Sequence, residues 1–187
     1  MSKIENSKKE QLVIGKEIFV PYLSEDKIQK RVKEMGEEIS KDYKGKTPVF
    51  IGVLNGAFIF LSDLIKNIST DCEIDFFKLS SYGDEKISSG NVTLLKELNC
   101  DVEGRDIIIV EDIVDSGLSI RFIENLMQQH NPASMRVASL LVKPDSLKYK
   151  VKIHYIGFNI PSKFVIGYGL DYAQKYRNLR TIYALSE

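Results

Sequence analysis

The sequence predicts an α/β protein with a central parallel sheet flanked by helices. Through residues 47–142, short runs rich in β-branched and aromatic residues alternate with segments of helical periodicity. The connecting segments are long enough to hold helices, which favours parallel strands joined by right-handed crossovers. Ligands of such folds bind at the carboxyl ends of the strands, so the loops at that edge are where a site is expected.

The amino-terminal part predicts one edge strand and one helix. Residues 1–10 are polar, and residues 11–20 alternate weakly between apolar and polar, which indicates an edge strand. Ser24 precedes two acidic residues, an arrangement typical of a helix start. The apolar face of this helix consists of Ile28, Val32, Met35 and Ile39. The helix is expected to end at residues 44–46, which include Gly45.

Strands and helices then alternate, with one polar exception. Strands are predicted at 47–54, 73–80, 107–110, 135–142, 154–158 and 181–185, and helices at 58–68 and 119–129. Residues 81–104 are polar, contain three glycines and hold only a short apolar stretch at 92–95. So long a segment without clear periodicity is uncommon in a compact domain, and it predicts a mobile lid that includes Ser81 and Tyr82.

Composition and charge disfavour several classes of protein. The 187 residues favour one domain, 1–187, of ordinary globular composition. The formal net charge is zero, so we expect no nucleic-acid partner. Residues 1–10 lack the apolar core typical of a signal peptide, and no apolar run approaches membrane-spanning length, so we expect a cytoplasmic protein without a membrane partner. Cys72 and Cys100 are expected to be free thiols, with a single disulfide as the alternative.

Three loops follow predicted strands and carry residues suited to chemistry. They are Asn55-Gly56-Ala57, Glu111 to Ser119, and Lys143-Pro144-Asp145. If the strands are parallel, all three loops open on the same edge of the sheet. The sequence therefore predicts that they form one site.

The loop from Glu111 to Ser119 is the most informative. Four β-branched residues at 107–110 run into the carboxylates of Glu111, Asp112 and Asp115, and a small turn at 116–119 then opens a helix. The carboxylates suit hydroxyls, a metal or a proton, and the amides at a helix start suit phosphate. A divalent cation would relieve the repulsion between phosphate and acids, and oxygen-only ligands favour magnesium. This pattern predicts a magnesium-dependent enzyme acting on a phosphorylated sugar or nucleotide.

Each of these residues also has a plain structural interpretation. Adjacent Glu111 and Asp112 point to opposite sides of an extended strand, and both could be solvated surface charges. Asp115 could bond its own backbone in a turn. Lys143 could be a solvated lysine at a strand end, and Phe164 could be an ordinary core residue. A salt bridge between Asp171 and Arg177 is a weak alternative, because a spacing of six residues does not place the two side chains together on a helix.

Five segments resemble known motifs. Ile108 to Ser119 resembles the phosphoribosyl diphosphate signature of type I phosphoribosyltransferases. Four others resemble the hypoxanthine-guanine branch of that family: Val53 to Ala57 the diphosphate loop, Leu79 to Gly83 the start of the lid, Ser139 to Lys143 the strand whose lysine contacts the base, and Phe158 to Tyr172 the purine-binding hood. The five segments occur over residues 50–180 in the same order as in the family, so chance does not explain the resemblance.

The resemblance implies a type I phosphoribosyltransferase fold, with a core at about 40–150, a small hood from segments 11–22 and 151–187, and the lid at 81–104. It implies transfer of a phosphoribosyl group from phosphoribosyl diphosphate to hypoxanthine, and to guanine, with Mg²⁺ as cofactor. We expect a homodimer or homotetramer.

The resemblance also implies a role at each matching position. Asp115 would be the general base at the purine N7. The ribose and 5′-phosphate would contact Glu111, Asp112, Asp115, Ser116, Gly117, Leu118 and Ser119. The diphosphate would contact Leu54, Asn55, Gly56 and Arg177. The purine side would consist of Lys143, Phe164, Val165 and Asp171, and the metal would contact Glu111, Asp112 and Asp171.

Two positions depart from the family pattern. Asn55 stands where the diphosphate loop often carries lysine or arginine, and Leu118 stands where some members have lysine. Both changes leave phosphate binding more dependent on backbone amides. The family pattern also implies that the Leu54–Asn55 peptide is cis.

Two other functions fit the same fold. A nucleotide-sensing regulator that binds RNA or DNA is disfavoured by the zero net charge and by the lack of an added binding domain. A pyrimidine salvage enzyme is disfavoured by Lys143 and by the segment from Phe164 to Asp171.

Overall fold

The structure is a computed structural model that describes residues 11–81, 92–96 and 98–186. Its helices are α1 (Glu25–Asp42), α2 (Phe58–Ile65) and α3 (Leu118–Met127). Its strands are β1 (Leu12–Ile14), β2 (Glu17–Leu23), β3 (Val49–Leu54), β4 (Glu73–Ser81), β5 (Val92–Lys96), β6 (Asp106–Val114), β7 (Ser134–Val142), β8 (Tyr155–Asn159), β9 (Val165–Ile166) and β10 (Ile182–Leu185). The strands form two sheets.

The large sheet confirms the predicted parallel arrangement. Its strand order is β5-β4-β3-β6-β7-β8. Every neighbouring pair is parallel except β4 and β5, which are antiparallel. Sequence patterning missed β5, since residues 92–95 looked like a short apolar stretch within the lid. Pairing with β4 turns that stretch into an edge strand.

Alternate residues of the central strands pack on opposite faces of this sheet. On one face, Phe50 of β3 and Ile108 of β6 belong to the same apolar cluster as the buried stripe of α1 and residues of α2. On the other face, Val49 and Ile107 pack with Ile123 of α3. A strand with apolar residues on both faces can only lie between helical layers, which explains why these strands are almost continuously apolar.

The small sheet contains strands from both ends of the described chain, in the order β1-β2-β10-β9. The single edge strand predicted at 11–20 is wrong, because the chain turns at Gly15 and Lys16 into an antiparallel pair. Gly15 has a φ of 63°, a conformation that glycine adopts without steric penalty. The two-residue strand β9 was not predicted, and it is held by β10.

The boundaries of the predicted hood need correction. The hood was expected to start at residue 151, but β8 pairs in parallel with β7 and completes the large sheet. The core was expected to start at about residue 40, but α1 packs on the large sheet from Ile28 onwards. We therefore use the name hood for the small sheet and its connecting residues: 11–23 and 160–186.

The predicted lid lies only partly within the described residues. Tyr82 falls outside them, and Ser81 is described as the last backbone position of β4. Of the remainder, residues 92–96 are paired in a sheet, and Val102 is buried in the apolar cluster beneath α3. The carboxyl-terminal part of the segment 81–104 is therefore attached to the large sheet through β5 and to the core through Val102, and a mobile lid stays a prediction for the residues before it.

Asp75 on β4 anchors the segment that follows β5. Its buried carboxylate accepts hydrogen bonds from the backbone N–H groups of Phe76 (2.8 Å), Cys100 (3.0 Å) and Asn99, and it contacts Lys96 Nζ at 3.1 Å. Burial by itself raises the pKa of Asp75, but these donors outweigh it and hold the pKa well below its usual range.

We expect Asp75→Asn to lower the free energy of unfolding by about 2 kcal/mol at pH 7, because charge-assisted hydrogen bonds are lost. The folded-state pKa lies below the unfolded value of about 4. The stabilisation is thus complete above about pH 4 and is lost as the pH falls towards the lower folded-state pKa, so the stability difference between the two proteins should be smaller at pH 3 than at pH 7. Urea unfolding at pH 7 and pH 3 measures this, with exposed Asp71→Asn as control. Equal stability at pH 7 would contradict the anchoring role.

Two further findings concern membranes and thiols. None of the helices in the described part of the chain is both long enough and apolar enough to cross a membrane. Cys72 and Cys100 are both free, as the sequence predicted.

Candidate active site

The three predicted loops meet at the carboxyl edge of the large sheet. They follow the adjacent strands β3, β6 and β7. The N–H of Lys143, directly after β7, donates to Val114 O at the end of β6 at 2.9 Å. A Cβ atom on Gly56, in the loop after β3, would lie 1.6 Å from Asp112 Oδ2 of β6. The prediction that these loops share one edge is confirmed.

The loop after β3 approaches the acids through its backbone. The Leu54–Asn55 peptide is cis, as the family resemblance implied. Asn55 is exposed, and Gly56 follows it without a side chain. Because any side chain at residue 56 would overlap the Asp112 carboxylate, this position requires glycine.

The acids Glu111 and Asp112 lie within β6, which continues to Val114 beyond its predicted end at 110. Both line a cavity of about 210 Å³ together with residues of the β3 loop and Ser119. Burial raises the pKa of Glu111, and the neighbouring Asp112 charge raises it further. Burial also raises the pKa of Asp112, although hydrogen bonds and the charge of Arg177 oppose this. One buried and one half-buried carboxyl group on a single cavity disfavour the interpretation as solvated surface charges.

The turn after β6 provides backbone donors. Gly117, at a φ of 83°, precedes the first residue of α3. A second cavity of about 100 Å³ is lined by the whole turn and by Asp115. The loop after β7 stabilises this turn, because Ser116 O accepts hydrogen bonds from the N–H groups of Lys148 (3.0 Å) and Tyr149 (3.1 Å). The first amides of α3 point towards this end of the helix, which suits a phosphate.

Lys143 and Asp115 form an ion pair. Lys143 Nζ lies 2.7 Å from Asp115 Oδ2, and the lysine side chain is 10% exposed whereas that of the aspartate is 52% exposed. The alternative of a solvated lysine at the strand end is therefore wrong. The sequence contained no signal for this pairing, because the two residues are 28 positions apart.

Phe164 presents an open aromatic face. It is 46% exposed, which excludes an ordinary core position. Its ring contacts Tyr172 edge-on with centroids 5.7 Å apart, and Phe19 of β2 at 6.1 Å. Val165 is buried in β9 beside it. Sequence patterning did not assign Phe19 or Tyr172 to the site, since their contact with Phe164 depends on the small sheet.

The segment after β9 brings a cation towards the acids. Asp171 Oδ1 lies 2.8 Å from Arg177 Nη2, and Asp171 Oδ2 accepts from Gln174 N at 2.8 Å. The salt bridge considered a weak alternative is therefore present, since a loop rather than a helix joins the two residues. Arg177 Nη1 also donates to Gly169 O at 2.8 Å.

The predicted metal ligands are not gathered into one cluster. Among the described residues, no group of three or more His, Cys, Asp or Glu side chains is arranged to hold a metal ion. Glu111 and Asp112 share a cavity, whereas both carboxylate oxygens of Asp171 are occupied by Arg177 and Gln174.

Comparisons with known proteins point to one family. The family model described as phosphoribosyl transferase domain matches residues 22–173. A hypoxanthine-guanine phosphoribosyltransferase of Bacillus subtilis is 48% identical over 157 residues, which cover 84% of this chain and 87% of that protein. A Listeria innocua bifunctional TilS/HprT protein is 45% identical over 157 residues, but this chain spans only 24% of its length.

Solved structures agree. A hypoxanthine-guanine phosphoribosyltransferase of Bacillus anthracis is 41% identical with a TM-score of 0.84, covering 89% of this chain and 98% of that one. A hypoxanthine phosphoribosyltransferase of Staphylococcus aureus is 42% identical with a TM-score of 0.85, covering 89% and 90% of the two chains. With this similarity over most of its length, the chain belongs to the phosphoribosyltransferase family, in its hypoxanthine-guanine branch.

Proposed function

We propose that this protein acts in purine salvage, transferring the 5-phosphoribosyl group of phosphoribosyl diphosphate to hypoxanthine, and also to guanine. The products are IMP or GMP and diphosphate. The observation that carries the proposal is that a phosphate-type turn, two acids lining one cavity and the Lys143–Asp115 ion pair meet at one sheet edge, in a chain of this family.

The activated sugar lies along the loop after β6. Its 5′-phosphate accepts hydrogen bonds from the amides and hydroxyls of residues 116–119, whose cavity adjoins Asp115. The ribose hydroxyls lie by Glu111 and Asp112, which border the larger cavity. The departing diphosphate contacts the backbone of residues 54–56 and the guanidinium of Arg177, a group that pairs well with phosphate oxygens.

The purine lies between Phe164 and Lys143. The exposed ring of Phe164 stacks on the base, and the backbone of Val165 bonds its edge. Lys143 donates a hydrogen bond to the 6-oxo group. Because an ammonium group has donors and no acceptor, it disfavours the amino group that adenine carries at the same position.

The reaction is a displacement at the anomeric carbon. The bond from this carbon to the diphosphate oxygen breaks, a bond to the purine N9 forms, and the proton at N7 passes to a carboxylate oxygen of Asp115. The half-exposed carboxylate of Asp115 is accessible to a base that is bound through Lys143 beside it. The lid residues Ser81 and Tyr82 exclude water, which would otherwise hydrolyse the activated sugar.

The donor set fits Mg²⁺ as a cofactor. Glu111 and Asp112 line one cavity, and burial raises the pKa of both carboxyl groups, so a nearby cation would favour their charged forms. Mg²⁺ is typically held by one or two carboxylates plus phosphate oxygens of the substrate, so a complete protein cluster is not required. We assign Glu111 and Asp112 as the residues that would hold Mg²⁺, and Asp171 as a further acid that would support its binding. When bound, Mg²⁺ would neutralise charge on the diphosphate.

A panel of bases tests this function. With phosphoribosyl diphosphate and magnesium, we expect turnover of hypoxanthine and guanine and none of adenine or uracil. Lys143→Ala should lower kcat/KM for hypoxanthine about a hundredfold and narrow the gap to adenine. Lys148→Ala, at an exposed lysine later in the same loop, is the control and should leave the panel unchanged. No turnover of any 6-oxopurine by the wild type defeats the proposal, and unchanged selectivity in Lys143→Ala removes the assignment of that lysine.

We also propose a cellular compartment, the binding partners and an oligomeric state for this protein. The two free thiols suit the reducing cytoplasm. The partners are small molecules, namely the purine base and phosphoribosyl diphosphate. We expect a homodimer or homotetramer, which sedimentation velocity would distinguish from a monomer by mass.

A further inference from the structure

One buried tyrosine connects the hood to the helix that follows the diphosphate loop. The phenol of Tyr168 donates to Asp63 Oδ2 at 2.8 Å, and the same oxygen accepts from Gln29 Nε2 at 2.8 Å. Asp63 lies on α2, which begins directly after residues 55–57. Tyr168 is 3% exposed, and burial followed by the neighbouring Asp63 raises the pKa of its phenol. The hydroxyl therefore remains a donor throughout the physiological range.

The backbone at Tyr168 has a conformation that side chains disfavour. Its φ is 51°, and it lies between Gly167 and Gly169, whose φ values are 98° and 99°. A tyrosine in the left-handed region persists only where its surroundings hold it there. Two contacts do so: the N–H of Tyr168 donates to Leu179 O at 2.7 Å, and its phenol donates to Asp63.

This turn lies directly against the diphosphate loop. A Cβ atom on Gly169 would lie 2.1 Å from Gly56 O, and one on Gly56 would overlap Asp112. The turn also holds Arg177, which donates to Gly169 O at 2.8 Å and accepts from Gly169 N at 2.9 Å through its own carbonyl. Any shift of the turn therefore moves both Gly56 and Arg177.

The purine contacts depend less on this turn. Phe164 is held by Phe19 and Tyr172. Val165 pairs with Ala184 in the small sheet. Val165 shares an apolar cluster with Tyr168 and α2, but neither the ring contacts of Phe164 nor the pairing of Val165 with Ala184 includes the Tyr168–Asp63 hydrogen bond.

We propose that the Tyr168–Asp63 hydrogen bond is a positioning contact for the diphosphate half of the site. It holds the turn at 167–169 against Gly56 and so places Arg177 and the loop amides where diphosphate binds. The inference rests on the proposed function, which assigns the diphosphate to this loop. Neither residue touches the substrate, and both act through Gly56 and Arg177.

Tyr155 provides a matched control. It is 4% exposed, and its phenol donates to Asp42 Oδ2 at 2.8 Å. It lies at the first residue of β8, at the opposite edge of the sheet from the site. Tyr155→Phe and Tyr168→Phe therefore remove the same kind of bond to an aspartate, and both should lower the melting temperature.

The two variants are expected to differ in kinetics. Tyr168→Phe should raise KM for phosphoribosyl diphosphate, and the inhibition constant of diphosphate, about tenfold, while KM for hypoxanthine changes less than about twofold. Tyr155→Phe should change none of these constants. Asp63→Ala should reproduce the effect of Tyr168→Phe, whereas Asp63→Asn keeps an acceptor oxygen for the phenol and should retain the wild-type KM.

Two results would overturn the inference: kinetics of Tyr168→Phe that match those of Tyr155→Phe, or equal rises in KM for both substrates, which indicate general loosening. If Tyr168→Phe does not fold, the variants Asp63→Ala and Asp63→Asn provide the same test. A higher KM for phosphoribosyl diphosphate in Asp63→Ala than in Asp63→Asn supports the inference, and equal KM values overturn it. Failure of the proposed function is distinguishable, because the wild type itself would then show no turnover.

Discussion

Asp115→Asn is expected to lower kcat about a thousandfold while changing the dissociation constant of phosphoribosyl diphosphate less than about threefold. Asparagine has the shape of aspartate and still offers an oxygen to Lys143, so the ground-state contacts remain. It cannot accept the N7 proton, so the loss falls on the chemical step. Steady-state kinetics and isothermal titration calorimetry measure the two quantities.

Asp145→Asn is the matched control for this variant. Asp145 lies in the loop after β7, two residues beyond Lys143, and its side chain is exposed. Its replacement should leave kcat unchanged. Near wild-type turnover in Asp115→Asn would remove the role of Asp115 as base, and the ion pair with Lys143 would then serve only to orient the lysine.

Gly56→Ala is expected to lower kcat/KM for phosphoribosyl diphosphate about a hundredfold. The new Cβ would lie 1.6 Å from Asp112 Oδ2 and 2.4 Å from its Cγ, so either the carboxylate or the loop must move. The φ of Gly56 is not in the left-handed region, so the obstacle is this contact and not the backbone conformation. Displacing a group by about 1 Å in a site of this kind typically costs two orders of magnitude.

Gly52→Ala separates this effect from overpacking. Gly52 lies on β3, four residues earlier, and its Cβ would meet the side chains of Leu61 (Cδ2 at 2.7 Å) and Phe76, not the carboxylate of Asp112. Both variants should lose about 1–3 kcal/mol of unfolding free energy, as overpacked sites do. Only Gly56→Ala should alter the kinetics of phosphoribosyl diphosphate. Equal kinetics in both variants would show that the contact between Gly56 and Asp112 does not matter for binding.

Much of the large sheet was predictable because its signals are local. The apolar runs at 47–54 and 135–142 each contain enough β-branched and apolar residues to indicate a buried strand. The parallel direction of these strands was predicted from the alternation of strands and helices, whereas the order β4-β3-β6-β7 is known only from the structure. Strands with weak or short signals were missed, since β5 and β9 exist only through pairing with β4 and β10.

The site was predictable to the level of its loops but not of its contacts. The residues Asp115 and Lys143 were both identified, yet their ion pair was not, because it depends on the adjacency of β6 and β7. The salt bridge from Asp171 to Arg177 was underrated for a related reason, since a loop conformation brings together residues whose spacing suits no regular element. Pairwise geometry of this kind is a property of the folded chain.

The sequence by itself determined the fold class, the three functional loops and, through five ordered motifs, the family. Periodicity, turn residues and short motifs are local properties, so each can be recognised from neighbouring residues without knowledge of the tertiary structure. Only the tertiary structure decided that Glu111 and Asp112 share one cavity, that Lys143 is buried beside Asp115, and that Tyr168 bonds Asp63. Each of these facts depends on distances between distant parts of the chain, and packing alone sets those distances.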